Sequence, residues 1–305
     1  MMQIRTAAAL AAATLAVSGM AAQAQQAGQG AGNQTRRPRV GMQKLGWRLA
    51  CQAWTFNRMT VFETLDTLKG LGVRYVEFFP GQKVSKEQDV AFDHNASPEI
   101  IAAVKAKLQE TNVRATAYGV VGLGSTEAEA RKVFEFAKTM GMRTLSTEPA
   151  EETLPMLDKL AAEYKIGVAI HNHPKPSHYW SPETVLKATE KCSKLVGACA
   201  DTGHWPRSGI NPVEGLKQMK GRIVSLHFKD LDKDNGDVPF GTGTGNAEAQ
   251  LRELRDQGFK GTFSIEYERT TGAELLENVK KCVEWFRATS LKLAADMPNT
   301  PAAKP

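Results

Sequence analysis

The 305-residue chain is poor in cysteines and in long apolar runs, and each shortage excludes a class of protein. Its four cysteines, Cys51, Cys192, Cys199 and Cys282, follow no disulfide-framework spacing. We expect buried free thiols, although a pair between two of them stays open. After residue 24 no apolar run approaches the length of a membrane helix. No strand-like run leads into a G-x-G-x-x-G motif, which disfavours a dinucleotide-binding open sheet.

The first residues of the chain differ from the rest. Residues 1–24 combine one early arginine with an Ala-rich apolar stretch that ends in Ala22-Gln23-Ala24. This pattern predicts a secretory signal peptide that is cleaved before Gln25, with an uncleaved N-terminal anchor as the alternative. We therefore expect a periplasmic or secreted protein.

Two further segments lack apolar periodicity. Residues 25–46 are rich in Gln, Gly and Arg and predict a disordered linker, while residues 291–305 predict a C-terminal tail. One domain is left, over residues 47–290. The formal net charge of +6 owes much to basic residues of the linker, so it argues only weakly for binding to nucleic acid or membrane. For the mature protein we expect neither partner.

Within the predicted domain, short apolar runs alternate with longer amphipathic ones. The strand-like runs occupy residues 48–54, 73–79, 113–120, 142–148, 166–173, 196–201, 222–228 and 261–268. The helix-like runs occupy residues 60–72, 97–111, 125–141, 151–164, 181–195, 211–220, 246–258 and 271–288. Strands that alternate with helices predict a parallel sheet, and eight such units predict a single closed (β/α)8 TIM barrel. A doubly wound open sheet is the alternative fold.

Polar side chains follow most of the predicted strands where each strand ends. They are Trp54, Glu77, Glu148, His171 and His173, Asp201 and His204, His227 and Lys229, and Glu266. The active site of a TIM barrel lies at the C-terminal ends of its strands, so we expect these side chains to converge. One strand-end carboxylate would mean little, but five successive strands that deliver carboxylates or imidazoles indicate a site.

Four of these residues, Glu148, Asp201, His227 and Glu266, offer three carboxylates and one imidazole. A mostly oxygen ligand set suits Mn²⁺, Mg²⁺ or Co²⁺, with Zn²⁺ as a further candidate. Without a cation, three carboxylates so close together would repel one another. We predict one divalent metal ion per chain, and salt-bridged strand-end residues are the alternative.

Four short stretches, STEP, ADTGHW, HFKD and SIEYE, resemble the xylose-isomerase-like barrel superfamily. This superfamily includes sugar isomerases and epimerases, inosose dehydratases and abasic-site endonucleases. D-T-x-H after the sixth strand and H-x-K-D after the seventh are the most telling motifs. The resemblance covers residues 48–288 and implies the same four metal ligands, with His204 as a substrate contact.

The resemblance implies proton-transfer chemistry on a small-molecule sugar. In ketose epimerases of this family two glutamates act as acid and base on opposite faces of an enediolate, and Glu148 and Glu266 hold those positions. The inosose-dehydratase-like branch carries a His-rich fifth strand, which His171 and His173 resemble, and there elimination follows proton abstraction. We predict a metal-dependent isomerase or epimerase of an unphosphorylated sugar. A lyase or hydrolase-like enzyme that eliminates a group from a keto-sugar, such as a 3-keto-glycoside, is the alternative.

The remaining candidates have less specific signals. We predict catalytic roles for Glu148, Glu266 and His171, and substrate contacts for His173, His204, Lys229, Glu77, Trp54 and Trp180. A core-edge ion pair is the alternative for Glu77, and an ordinary loop side chain for each tryptophan. The segment 240–246, FGTGTGN, is interpreted as a flexible turn rather than a phosphate cradle. A DNA-repair endonuclease is disfavoured because the extra histidines of that branch are missing, and a non-catalytic sugar-binding barrel stays open.

Overall fold

The computed structural model describes residues 40–297, in which eight parallel strands close into a barrel. The barrel strands are β1 (Arg48–Gln52), β2 (Tyr75–Phe78), β5 (Arg114–Tyr118), β6 (Thr144–Thr147), β7 (Gly167–His171), β8 (Val196–Asp201), β9 (Ile223–Phe228) and β10 (Thr262–Ile265). A small hairpin of β3 (Gln82–Lys83) and β4 (Ala91–Phe92) follows β2. Barrel neighbours follow chain order, and β10 closes the ring by pairing in parallel with β1. The predicted TIM barrel is confirmed.

Helices connect the strands and cover the barrel. They are α1 at residues 40–45, α2 (Val61–Gly70), α3 (Pro98–Thr111), α4 (Glu127–Met140), α5 (Leu154–Tyr164), α6 (Pro182–Ala188), α7 (His204–Arg207), α8 (Pro212–Gln218), α9 (Ala247–Asp256) and α10 (Gly272–Ala295). Capping residues in the local sequence determine where several of these helices begin. The side chain of Ser97 caps α3, whereas α4, predicted from residue 125, starts with a Thr126–Glu129 capping box. Among residues 40–297 no helix is both long and apolar enough to cross a bilayer.

Both ends of the domain extend further than the sequence predicts. Helix α1 lies in the segment interpreted as linker, and α10 continues to Ala295, inside the predicted tail. These two helices contact each other so closely that a Cβ on Gly41 would lie 2.6 Å from the Cα of Leu291. Leu45 and Leu293 are buried in the core, which explains why residues 40–45 and 291–295 are helical parts of the fold. The predicted signal peptide, the rest of the linker and residues 298–305 lie outside the described residues.

Helix α6 is shorter than predicted, because it ends at Ala188 instead of continuing to residue 195. The chain beyond it is held in turns by long-range hydrogen bonds. Asp158 accepts from the backbone and hydroxyl of Ser193, and Arg222 donates to the carbonyl oxygens of Cys192 and Ser193. These partners lie far away in the sequence, so helical periodicity alone could not reveal the early end.

Candidate metal centre and active site

Four buried side chains meet at the C-terminal end of the barrel. His171 and Asp201 end β7 and β8, His227 lies on β9 and Glu266 follows β10. None of them is more than 8% exposed. One nitrogen or carboxylate oxygen from each residue lies within 4.8 Å of those of the other three. The strand-end convergence expected for a TIM barrel therefore produces a compact cluster of two imidazoles and two carboxylates.

The cluster has atoms whose hydrogen-bonding capacity is unused. His171 Nε2, Asp201 Oδ2 and His227 Nδ1 are buried, and none makes a well-aligned hydrogen bond among residues 40–297, although His171 Nε2 lies 3.5 Å from Asp201 Oδ2 and His227 Nδ1 lies 3.2 Å from Glu266 Oε2. Buried polar atoms in proteins almost always have partners, so three unpaired ones in the same cluster need an explanation. A divalent cation between them would satisfy all three at once. The donor set therefore fits a metal ion.

Glu148, which the sequence predicts as a metal ligand, is not a member of this cluster. Its carboxylate instead accepts from the Ser177 hydroxyl at 2.9 Å and is in close contact with His173 Nδ1. His171 Nδ1 lies 3.4 Å from the same carboxylate, which leaves His171 Nε2 facing Asp201. The structure thus brings His171, and not Glu148, into the cluster, while the role of Glu148 as a metal ligand stays a prediction.

Glu77, predicted as a substrate contact, is fully buried beneath the cluster. The hydroxyls of Ser146 and Ser264 donate to its two oxygens, and His227 Nε2 lies 3.1 Å from Oε1. Burial alone would raise the pKa of Glu77, but His227 and the two hydroxyls hold it below the usual value. This carboxylate cannot touch a substrate. It accepts the Nε2 proton of His227, so Nδ1 faces the cluster and lies 3.2 Å from Glu266 Oε2; a metal ion bound there would take the lone pair of Nδ1.

Asp201 is held by the backbone around it. Its Oδ1 accepts from the amides of Gly203 and His204, each at 2.8 Å. The side chain of Asn172 bonds the backbone N–H and C=O of Asp201. Because these contacts use Oδ1 and the main chain, Oδ2 alone is left to face the cluster.

Lys229 lies beside the cluster and is almost completely buried. Its Nζ is 2.9 Å from Glu266 Oε2 and 3.5 Å from Asp201 Oδ2, and it also contacts Glu268. Burial would lower its pKa, but these carboxylates raise it above the usual value, so the ammonium stays charged. Gly203 provides the space, because a Cβ there would lie 2.7 Å from Lys229 Cδ.

A cavity of 230 Å³ opens above the cluster. Its walls include Gln52, Trp54, Phe79, His171, His173, His204, Glu266 and Glu268. The Trp54 indole donates to Glu268 and packs edge-on against Phe79 at 5.0 Å, so it forms a half-open rim. The sequence did not predict Gln52 and Phe79 as cavity-lining residues, because nothing distinguishes them from ordinary strand-end residues.

Two cavity-lining histidines, His173 and His204, flank His171. Their ring centroids lie 4.4 and 5.6 Å from the His171 ring. Burial lowers the pKa of His204 to about 3, so its ring is neutral. Arg207 donates to His204 Nδ1 at 3.0 Å, which places the ring proton on Nε2. His204 can therefore donate a hydrogen bond to a substrate oxygen.

Trp180, also predicted as a substrate contact, is not among the residues that line this cavity. Its ring instead stacks with the ammonium of Lys175, 3.9 Å from the ring centroid. His178 on the same loop pairs with Glu151 at 2.7 Å. Neither side chain has a contact with the cluster, because the loop between β7 and α6 turns them outwards.

The glycine-rich segment 240–246 has its own anionic partner. The buried Asp230 carboxylate accepts from the amides of Gly241, Gly243 and Gly245 at 2.8, 3.0 and 3.3 Å. A Cβ on Gly243 would lie 2.4 Å from Asp230 Oδ1, so only glycine permits this approach. The amides that could cradle a phosphate already hold a side chain, and the segment is a structural turn.

We expect Asp230→Ala to lower the free energy of unfolding by about 2 kcal/mol, because backbone donors in a partly buried turn lose their acceptor. Asp230→Asn keeps one carbonyl oxygen and should lose less. Chemical denaturation of the two variants and the parent protein measures the difference. Equal stability of all three proteins would contradict the structural role assigned to Asp230.

The chain matches the family of xylose isomerase-like TIM barrels over residues 65–289. It belongs to this family. The match spans the strand ends that carry the four-residue cluster, and the closed barrel agrees with the fold of this family.

Individual relatives cover a range of activities. An inosose dehydratase from Clostridium botulinum is 35% identical over 78 residues, which is 26% of this chain and 26% of that enzyme. The chain thus matches about a quarter of that relative's length. An uncharacterised protein from Parabacteroides distasonis has 33% identity and a TM-score of 0.66, over 80% of this chain and 99% of that one. The 3-keto-D-glucoside 4-epimerase of E. coli shares the fold at 16% identity, with a TM-score of 0.61 over 79% of this chain and 99% of that one.

Proposed function

We propose that this chain is an enzyme that binds one divalent metal ion and isomerises or epimerises an unphosphorylated sugar by proton abstraction next to a carbonyl group. The observation that carries the proposal is the set of three unpaired buried atoms on His171, Asp201 and His227, beside Glu266. They lie directly below a cavity with polar and aromatic walls. Family membership supports sugar chemistry, since relatives include a dehydratase and an epimerase.

The ligand set shifts the expected metal. With His171 in place of Glu148, the cluster offers two imidazoles and two carboxylates. Imidazole ligands suit Zn²⁺ and other transition metals, whereas Mg²⁺ prefers oxygen. We therefore place Mn²⁺, Co²⁺ and Zn²⁺ ahead of Mg²⁺. A bound cation would polarise the substrate carbonyl and its neighbouring hydroxyl, which lowers the cost of forming a carbanion beside them.

The protein supplies proton-transfer groups on two sides of the cavity. Glu266 lines the cavity, and its contacts with His227 and Lys229 both involve Oε2, so Oε1 can reach a carbon-bound proton. His173 lines the other side with its Nδ1 against Glu148, which turns Nε2 towards the cavity. We assign Glu266 and His173 as the acid–base pair, with Glu148 positioning the imidazole. The His204 Nε2–H would stabilise a developing oxyanion.

Elimination from a keto-sugar is the second candidate. The partial match to an inosose dehydratase and the close pair His171 and His173 favour it. After the same proton abstraction, a protonated His173 would donate to a departing β-substituent instead of returning the proton to carbon. The two reactions differ in whether a leaving group is released.

One experiment tests both. Metal-loaded protein is incubated with ketoses and 3-keto-glycosides in D₂O, and products are followed by NMR. We expect deuterium on the carbon next to the carbonyl, with a product of unchanged composition for an isomerase and a released group for a lyase. Glu266→Gln at equal metal loading should abolish the exchange. Product without carbon-bound deuterium, together with a fully active Gln variant, would exclude the proposed mechanism.

A further inference from the structure

The opposite end of the barrel carries a ring of positive charge. A basic residue lies within two positions of the start of each barrel strand. In strand order these are Arg48, Arg74, Arg114, Arg143, Lys165, Lys194, Arg222 and Lys260. Because parallel strands all start at the same edge of the sheet, the eight side chains surround one face. This face is remote from the metal cluster, which lies at the strand ends.

Four of these cations, Arg48, Arg74, Arg114 and Arg143, lie at the starts of adjacent strands and have no side-chain partner among residues 40–297. Arg48 and Arg114 are the first residues of β1 and β5, Arg74 and Arg143 directly precede β2 and β6, and the amide of Arg114 donates to the carbonyl oxygen of Arg74. Within the described residues 40–297, no carboxylate pairs with any of the four guanidinium groups, and none of them donates a hydrogen bond. Arg222, by contrast, donates to several backbone carbonyls. Four unneutralised guanidinium groups in a row repel one another and favour binding of an anion.

The four arginines line two adjoining cavities of 460 and 760 Å³. Both cavities share Arg48, Tyr75, Asn112 and Arg114, so they form one groove. No Asp or Glu is among the described residues that line it. The groove is therefore concave and continuous, and all charged side chains that line it are positive.

The dimensions of the groove select for an extended ligand. Neighbouring strands lie about 4.8 Å apart, so arginines on four adjacent strands span roughly 14 Å. A single phosphate or sulfate would occupy only one end of such a row. Guanidinium groups bind carboxylates in a bidentate manner, and a linear anion could present one to each in turn.

Uncharged polar groups accompany the arginines. Gln43, Gln109, Asn112 and Tyr75 line the same groove and can exchange hydrogen bonds with hydroxyl groups. A polyphosphate can use only their donors, whereas the hydroxyl groups of a sugar chain can also donate to their carbonyl and hydroxyl oxygens. We propose that this groove binds an acidic oligosaccharide whose successive rings carry carboxylates. The site would attach the protein to an anionic polysaccharide by the face opposite its active site, and it does not depend on the chemistry proposed above.

The test uses the full chain and oligogalacturonate, a linear polymer of uronic acid, as the probe in isothermal titration calorimetry. We expect binding that weakens as salt is raised, because surface charges are screened over about 8 Å at physiological ionic strength. Arg74→Gln/Arg114→Gln should weaken binding about tenfold or more while metal content stays unchanged. The matched control, Lys159→Gln/Lys281→Gln, removes the same charge from exposed positions on α5 and α10 and should bind like the parent.

Each outcome decides the proposal. Absence of binding, or an equal loss in the arginine and lysine variants, would overturn it, because net charge alone would then explain any affinity. Tripolyphosphate or single-stranded DNA binding as tightly as oligogalacturonate would overturn the assignment to sugar chains. A neutral oligosaccharide of the same length should not bind. If the double variant is poorly folded by thermal melting, Arg143→Gln alone provides the same comparison.

Discussion

Replacing His171 by alanine should leave the protein with well below one metal ion per chain and almost no activity. The reason is that His171 Nε2 is one of the three unpaired buried atoms that define the cluster. Losing a hydrogen-bonded neighbour of a metal ligand typically costs about 10–100-fold in affinity, and losing a ligand itself should cost more. Elemental analysis after dialysis, combined with sugar turnover, measures both effects.

Two matched variants test whether the loss of metal and activity is specific to His171. Glu148→Gln should lose far less metal than His171→Ala, because its carboxylate is only an outer partner of His171, but should slow turnover by releasing His173. His178→Ala removes an exposed loop histidine and should change neither quantity. If Glu148→Gln loses the metal while His171→Ala keeps it, the ligand set expected from the sequence is right and the one assigned from the structure is wrong.

Glu77→Gln should weaken metal binding about 10–100-fold although Glu77 touches neither the cavity nor the unpaired atoms. Its carboxylate accepts from Ser146, Ser264 and His227 Nε2. A glutamine amide has only one oxygen, so its NH₂ group must face either a serine hydroxyl or the N–H of His227. In either orientation the imidazole would lose the charged acceptor that holds its proton on Nε2 and so directs Nδ1 towards the cluster. Titration with a competing chelator gives the affinity.

A serine variant separates the effect on the orientation of His227 from a general loss of stability. Ser264→Ala keeps the Glu77 charge and its contact with His227, so it should weaken metal binding much less than Glu77→Gln. Thermal melting of the chelated proteins reports any general loss of stability. Unchanged metal affinity in Glu77→Gln at normal stability would show that Glu77 does not set the tautomer of His227.

The sequence by itself determined the barrel. Alternating apolar and amphipathic runs, with Ser-Pro helix starts such as Ser97-Pro98, are local signals, and eight of them permit only a few topologies. The same logic located the site, because carboxylates and imidazoles at successive strand ends must converge once the strands are parallel. Asp201, His227 and Glu266 followed directly from that rule.

The direction in which each strand-end side chain points could not be predicted from the sequence. Glu148 and His171 both follow strands that lead into the mouth of the barrel, and both residue types bind metals. Only the positions of Ser177 and His173 show that Glu148 turns away and that His171 turns inwards. Glu77 was ambiguous for the same reason, since its burial depends on hydroxyls that are 69 and 187 residues distant.

Tertiary structure alone also decided which charges are neutralised. In the sequence, the basic residues before the strands resemble ordinary solvated loop charges, and much of the formal net charge was attributed to the linker. Closure of the barrel brings Arg48, Arg74, Arg114 and Arg143 onto one face, 26 to 40 residues apart along the chain. Whether a guanidinium group has a carboxylate beside it depends on contacts between distant segments. Local patterns carry no information about such contacts, because they are set by packing and not by sequence neighbours.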